Sequence, residues 1–326
     1  MTTDQALAAT LRTRLGRRPS RFAAAAVTPT DVALAVDGVP SDADFEIGSI
    51  SKGITGLLYA DACTRGEIRP DTTLGELLPL GDCAVSGLKL QDVSRHSAGL
   101  PRLAPGLPGS DSRLKRTVSY VLRGTNPYGE NLAELLEQAR AVRLQPPRPR
   151  YSNLGFELLG HAVAAGAGLG YRELVATRLS IPLALDSVYL PATAVELRPE
   201  ALTGRGRFGR AQEPWTGEAL APAGGIRASI RDMARLTQAL LDGSAPGLSA
   251  LDPVADFAGP AARIGTGWIT LEVRGRRVTW HNGATGGFRS WIGLDRDAGA
   301  GVVLLSASSQ PVDRHGFALL RELAAR

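Results

Sequence analysis

The spacing of apolar residues changes rhythm twice along the chain, and each change marks a different kind of element. Residues 5–16 place apolar side chains at helical intervals. Two runs rich in Ala and Val come next, Arg21–Val27 and Val32–Val36, split by Thr28-Pro29-Thr30, which predicts two strands and a turn. Asp44–Ile47 predicts a third short strand. The spacing of Ile54, Leu57, Leu58 and Ala62 then predicts a helix that closes near Arg65-Gly66. From Pro70 the pattern becomes helical and interrupted. Short helices are expected at Leu74–Leu78 and Leu90–His96, an irregular loop at Ser97–Gly109, and helices at Ser112–Leu122, Leu132–Arg140, Leu154–Ala165 and Tyr171–Leu179. Residues 196–222 are irregular and rich in Arg and Gly. A turn at Ala223 leads into a helix with Ser229 as N-cap, Asp232 in the first turn, and Met233, Leu236 and Leu240 facing inward. The β rhythm then returns at Gly265–Val273, Arg277–His281, Phe288–Asp295 and Gly301–Ser306, punctuated by Gly275 and Asp297-Ala298-Gly299, and a helix at Arg314–Ala325 closes the chain.

Strands at both ends with helices between them imply an α+β fold. An antiparallel sheet built from both termini, with flanking helices, is expected from residues 1–69 and 221–326. A mostly helical inserted subdomain is expected from 70–220.

Composition narrows the function. With 326 residues the chain is long enough for a large core, and 44% hydrophobic with 21% charged residues is ordinary for a globular enzyme. The net charge of +5 comes from scattered arginines rather than a basic run with interleaved aromatics, so no nucleic-acid partner is expected. The polar, helix-like N-terminus lacks the apolar core of a signal peptide, and no apolar run approaches the roughly 18 residues needed to cross a bilayer. Cys63 and Cys83, and the separated His96, His161, His281 and His315, show no metal spacing. The expectation is a cytoplasmic enzyme acting on a small molecule, with no metal, cofactor or membrane partner.

Candidate chemistry begins at Ser49-Ile50-Ser51-Lys52. Ser49 falls where the helix starts and free N–H groups favour negative charge. Lys52, three residues on, shares its face. A serine hydroxyl needs a base to become a nucleophile, and a lysine serves only if burial or nearby positive charge lowers its pKa from about 10.4. The chain has three lysines, Lys52, Lys89 and Lys115, against many arginines, which cannot act as bases. Ser51 is the poorer nucleophile, since three residues on it meets Ile54.

Two later stretches can complete such a site. Tyr151-Ser152-Asn153 comes after a proline cluster and opens a helix; a nearby ammonium would lower the phenol's pKa, allowing Tyr151 to shuttle a proton, and Asn153 could hold Lys52 or a substrate amide. Trp280 to Gly287, WHNGATGG, comes after a β-like run. Its glycines let a substrate backbone approach, and an N–H there can join that of Ser49 in an oxyanion hole.

Ser49-x-x-Lys52, Tyr151-x-Asn153 and His281-x-Gly283, in this order, resemble the serine β-lactamase and penicillin-binding-protein superfamily. The likeness is greatest to class C β-lactamases, family VIII esterases and D-Ala-D-Ala carboxypeptidases. FEIGSISK, SRHSAGLPRL, RYSNLGFELLGH, PAGGIRAS and HNGATGGFRS carry it as well, from about residue 20 to the C-terminus. The resemblance implies a β-lactamase-like fold with Ser49 as the acylated nucleophile and Lys52 and Tyr151 as the proton-transfer pair. It implies Asn153 as a positioning group, His281, Asn282 and Gly283 along the substrate edge, and the N–H groups of Ser49 and Ala284 as the oxyanion hole. No counterpart of the deacylating glutamate of class A enzymes is visible. His-Asn-Gly stands where class C enzymes have Lys-Thr-Gly, so uncharged esters are expected to react faster than β-lactams. The absent export signal implies an intracellular substrate. A serine hydrolase acting on a small ester or amide is the leading expectation, with an acyltransferase on the same scaffold or a non-catalytic ligand-binding scaffold as the competitors.

Overall fold

The computed structural model describes residues 4–15, 21–105, 126, 128, 131–206, 208–259, 261–273 and 275–325. The helix expected at Ser112–Leu122 lies outside them. The N-terminal elements are α1 (Gln5–Leu15), β1 (Phe22–Val27), β2 (Val32–Asp37), β3 (Asp44–Glu46) and α2 (Ile50–Thr64). Helical pieces come next: α3 (Leu74–Leu77), α4 (Leu90–Ser94), α5 (Leu132–Arg140), α6 (Asn153–Gly166) and α7 (Tyr171–Val175). The C-terminal part is β4 (Arg227–Ser229), α8 (Ile230–Asp242), β5 (Ala255–Asp256), β6 (Ala262–Ile264), β7 (Ile269–Val273), β8 (Arg276–Ala284), β9 (Arg289–Asp295), β10 (Ala300–Ser306) and α9 (Asp313–Leu323).

Eight strands form one sheet in the order β2-β1-β10-β9-β8-β7-β6-β5, and every neighbouring pair is antiparallel. The N- and C-terminal segments meet at β1 and β10, where Phe22 lies opposite Ser306 and Val27 opposite Gly301. Both faces of this sheet are covered, so β10 reads AGVVLLS without alternation and is buried throughout. One face meets the main core with α2 and α8; the other, through Trp291, Val302 and Leu304, meets Leu11 of α1 and Leu319 and Leu320 of α9.

Three expectations change. Asp44–Glu46 does not join the main sheet but pairs with β4 in a separate two-stranded ribbon. The expected strand Gly265–Val273 shortens to β7, because Thr266 and Gly267 turn inward against Ala250 and Ser94, and an unanticipated strand, β6, pairs with it from the other side of that bend. The helix from Tyr171 tightens only to Val175 and widens over Ala176–Ser180.

The ribbon fixes where the central helix begins. Arg227 is fully buried, with its guanidinium 2.7 Å from Asp44 and 3.1 Å from Glu46. A buried charge is tolerated only when paired and hydrogen-bonded, so this cluster fixes β3 against β4. The chain therefore enters Ile47 and Gly48 from a rigid edge. Next comes α2, buried without a break from Ile50 to Ala60 and wedged between the sheet and α6. That setting explains why its polar residues are few and why each one matters.

Candidate active site

Ser49 caps the start of α2 and is half-buried, within reach of solvent. Lys52 is fully buried one turn later. Its Nζ lies 3.2 Å from Ser49 Oγ and donates to the Ala223 carbonyl at 2.5 Å. Ala223 belongs to the wide turn Ala221–Gly225, which also accepts a hydrogen bond from Thr55 at Pro222 (2.7 Å). Burial pulls the Lys52 ammonium down to about 7, the charge of Glu157 opposes that, and the charge of Arg102 adds to it. Ser51, by contrast, is fully buried and accepts a hydrogen bond from Ile226 N–H at 3.4 Å, with no open side for a substrate.

Tyr151 is brought to the same place from more distant sequence. Its ring centroid is 4.9 Å from Lys52 Nζ, and its phenol hydrogen-bonds with Ser49. The expected lowering of its pKa is reversed. Burial pushes the phenol up to about 12, and the hydrogen bond to Ser49 and the charge of Arg102 only partly offset this. Tyr151 therefore stays protonated near neutrality, and Lys52 is the group that loses its proton there. His96, to which the sequence alone assigns no role, fixes this turn. Its ring stacks 4.6 Å from that of Tyr151, its Nδ1 accepts from Ser152 N–H at 3.1 Å, and its backbone takes a left-handed φ of 58°.

Asn153 begins α6. Its Nδ2 donates to the Tyr128 hydroxyl at 2.6 Å, while its Oδ1 is buried without a hydrogen-bond partner. It makes no bond to Lys52; the Ala223 carbonyl does that work instead. One turn further along α6 stands Glu157, 3% exposed, with Oε1 buried and unpartnered. Burial raises its carboxyl to about 8 despite the Lys52 charge. The FELLG stretch gave no hint of it, since a single Glu in an apolar helix reads as surface.

β8 forms the facing wall. Alternation along the strand turns His281 and Gly283 toward the site and Trp280 and Asn282 away from it. Asn282 is therefore not at the substrate edge as expected: its Nδ2 donates to Asp313 of α9 at 2.5 Å, and Trp280 packs on Phe317 of the same helix. His281 is 2% exposed, its ring 6.4 Å from that of Tyr151. Its Nδ1–H donates to the Asn282 carbonyl at 2.7 Å, which fixes the neutral tautomer. Burial and the Lys52 charge hold it down to about 3, so it carries no charge near neutral pH.

The two expected oxyanion donors converge through Gly48. Its φ is +52°, and a Cβ built there would lie 2.8 Å from Ala284 N, so only glycine lets the start of α2 pack this closely on β8. Ser290 Oγ ties β9 to the Ile47 carbonyl at 2.6 Å and holds the same seam. Ser49, next to Gly48 in the chain, is thereby brought close to Ala284, which is exposed. Among the described residues, no group of three or more His, Cys, Asp or Glu side chains is placed to hold a metal ion. No helix among them is long and apolar enough to cross a membrane.

A helix-flanked antiparallel sheet with Ser-x-x-Lys at the start of its central helix defines a serine hydrolase scaffold. The chain belongs to the Beta-lactamase family, whose sequence model matches residues 7–326. It is 26% identical over 308 residues to a Beta-lactamase of Escherichia coli (strain K12), covering 82% of this chain and 76% of that protein. It is 24% identical over 289 residues to the D-alanyl-D-alanine-carboxypeptidase/endopeptidase AmpH of the same organism, covering 81% and 71%. The fold matches the crystal structure of a Beta-Lactamase/D-Alanine Carboxypeptidase from Pseudomonas syringae with a TM-score of 0.79, covering 98% of this chain and 97% of that one, at 18% identity. The β-lactamase-like α+β fold is thereby shown, and the chain is a member of the β-lactamase-like serine hydrolase superfamily.

Proposed function

We propose that this chain hydrolyses a small ester or amide through an acyl-enzyme on Ser49. One observation carries the reading: a fully buried lysine, held near 7, points its amine at the hydroxyl of a half-buried serine 3.2 Å away. In its neutral form Lys52 takes the Ser49 proton while one of its N–H groups stays on the Ala223 carbonyl. Ser49 Oγ then attacks the substrate carbonyl, and the N–H groups of Ser49 and Ala284 receive the developing oxyanion. Tyr151, still protonated, gives its proton to the leaving group as the carbonyl–leaving-group bond breaks, and Lys52 reprotonates the phenol. Water attacks the acyl-enzyme in the second half, returning the proton to Ser49.

The test is labelling with a fluorophosphonate, then intact mass and peptide mapping. A single adduct on Ser49, lost in Ser49→Ala, supports the reading. Labelling that persists in Ser49→Ala and vanishes in Ser51→Ala overturns it. Product analysis with an added amine or alcohol then separates hydrolysis from acyl transfer.

A further inference from the structure

The β8 wall offers a substrate no positive charge, because His281 stays neutral. Arg289, next along the chain, turns its guanidinium onto the carbonyls of Thr285 (3.0 Å) and Phe288 (2.8 Å). The facing wall is different. Arg102 is exposed there, with its guanidinium 5.4 Å from the Tyr151 ring centroid, and its charge acts on both Lys52 and Tyr151. Its loop is pinned to the start of α6: Ser152 Oγ donates to the Pro101 carbonyl at 2.6 Å, and Asn153 N–H to the Arg102 carbonyl at 2.9 Å. Among the described residues no carboxylate lies within salt-bridge range of Arg102, whereas Arg178, Arg227 and Arg277 all have acidic partners. A guanidinium fixed at its backbone, open to solvent and over the Tyr151 ring is built to take an oxyanion in bidentate fashion.

We propose that Arg102 is a specificity residue that selects esters or amides carrying a carboxylate, holding that anion on the α6 side of the site. This rests on Ser49 being the nucleophile. It also revises the expectation that uncharged esters are favoured, which took in the β8 wall alone.

The experiment compares kcat/KM for the mono-p-nitrophenyl ester of glutarate with that for p-nitrophenyl valerate, in the parent, Arg102→Gln and Arg102→Lys. Work at about pH 8.5 leaves Lys52 mostly neutral in every form. The ratio of the two esters within one preparation cancels differences in folding and in the Lys52 base. The anionic-to-neutral ratio should fall about tenfold or more in Arg102→Gln, as for loss of a hydrogen bond to a charged group, mainly through KM. Arg102→Lys keeps the charge but loses the two-pronged contact, so its ratio should fall between those of the parent and Arg102→Gln, and added salt should erode the parent's preference. A ratio that Arg102→Gln leaves within about twofold overturns the proposal. If Ser49 is nonetheless labelled by fluorophosphonate, the hydrolase reading stands; if Ser49 is unlabelled and neither ester is cleaved, both fall.

Discussion

The pH dependence of Ser49 acylation gives the sharpest test of how the site is powered. Lys52 acts only when neutral, and its pKa of about 7 makes the neutral fraction about a tenth at pH 6, half at pH 7 and nine-tenths at pH 8. The acylation rate should track that curve, rising with pH to a plateau. An exposed lysine near 10.4 would be less than about 0.1% neutral at pH 7, so the site as a whole biases Lys52 toward the free amine by about 5 kcal/mol, with burial the largest cause. As an anion Glu157 would work against that bias, but burial raises its carboxyl to about 8, so it is mostly protonated where Lys52 titrates. Arg102→Gln removes a charge that favours the free amine and should move the acid limb upward, whereas Glu157→Gln exchanges one neutral group for another over this pH range and should leave the limb near 7. The groups around it would stay in place: His161 on the same helix bonded to the Glu218 carbonyl, Tyr171 of α7 bonded to Thr55, and His96, Arg102, Tyr151 and His281 around the amine. The assay is the second-order rate of fluorophosphonate labelling from about pH 5 to 9. Lys52→Arg serves as the control, with an expected loss of about 10²–10⁴. A limb that falls well below 7 in Glu157→Gln, or one that does not rise in Arg102→Gln, refutes the electrostatic account of the lysine.

Tyr151→Phe should slow anilides and alkyl esters by about 10²–10⁴ but nitrophenyl esters far less, since nitrophenolate leaves without a proton; equal losses for both would show that the phenol does not protonate the leaving group. Gly48→Ala should disturb the oxyanion corner, because its Cβ meets Ala284 N at 2.8 Å and its φ of +52° disfavours an L side chain. A fall in kcat of about 10²–10³ is expected, and a variant with parental kcat would show that the corner tolerates displacement. The His281 ring resonances in NMR should not titrate between about pH 5 and 8, given a pKa held near 3 by burial; a midpoint near 6.5 would place the ring in water.

What could be read locally in the sequence was settled locally. The rhythm of β1, β2, β9 and β10, the N-cap at Ser229, whose Oγ accepts from Asp232 N–H at 3.3 Å, and the three-residue step from Ser49 to Lys52 depend on near neighbours alone. The order of motifs likewise pointed to the family. The tertiary structure decided the charge states and directions. Lys52 owes its lowered pKa to burial and its held amine to Ala223, 171 positions away. Glu157 became part of the site only because α6 packs on α2. The sequence placed Asn282 beside His281 in one motif, but strand parity and a helix from the C-terminus turned it toward Asp313. Desolvation and facing are set by whatever packs against a side chain, and for every residue that gives this site its chemistry those neighbours come from distant parts of the chain.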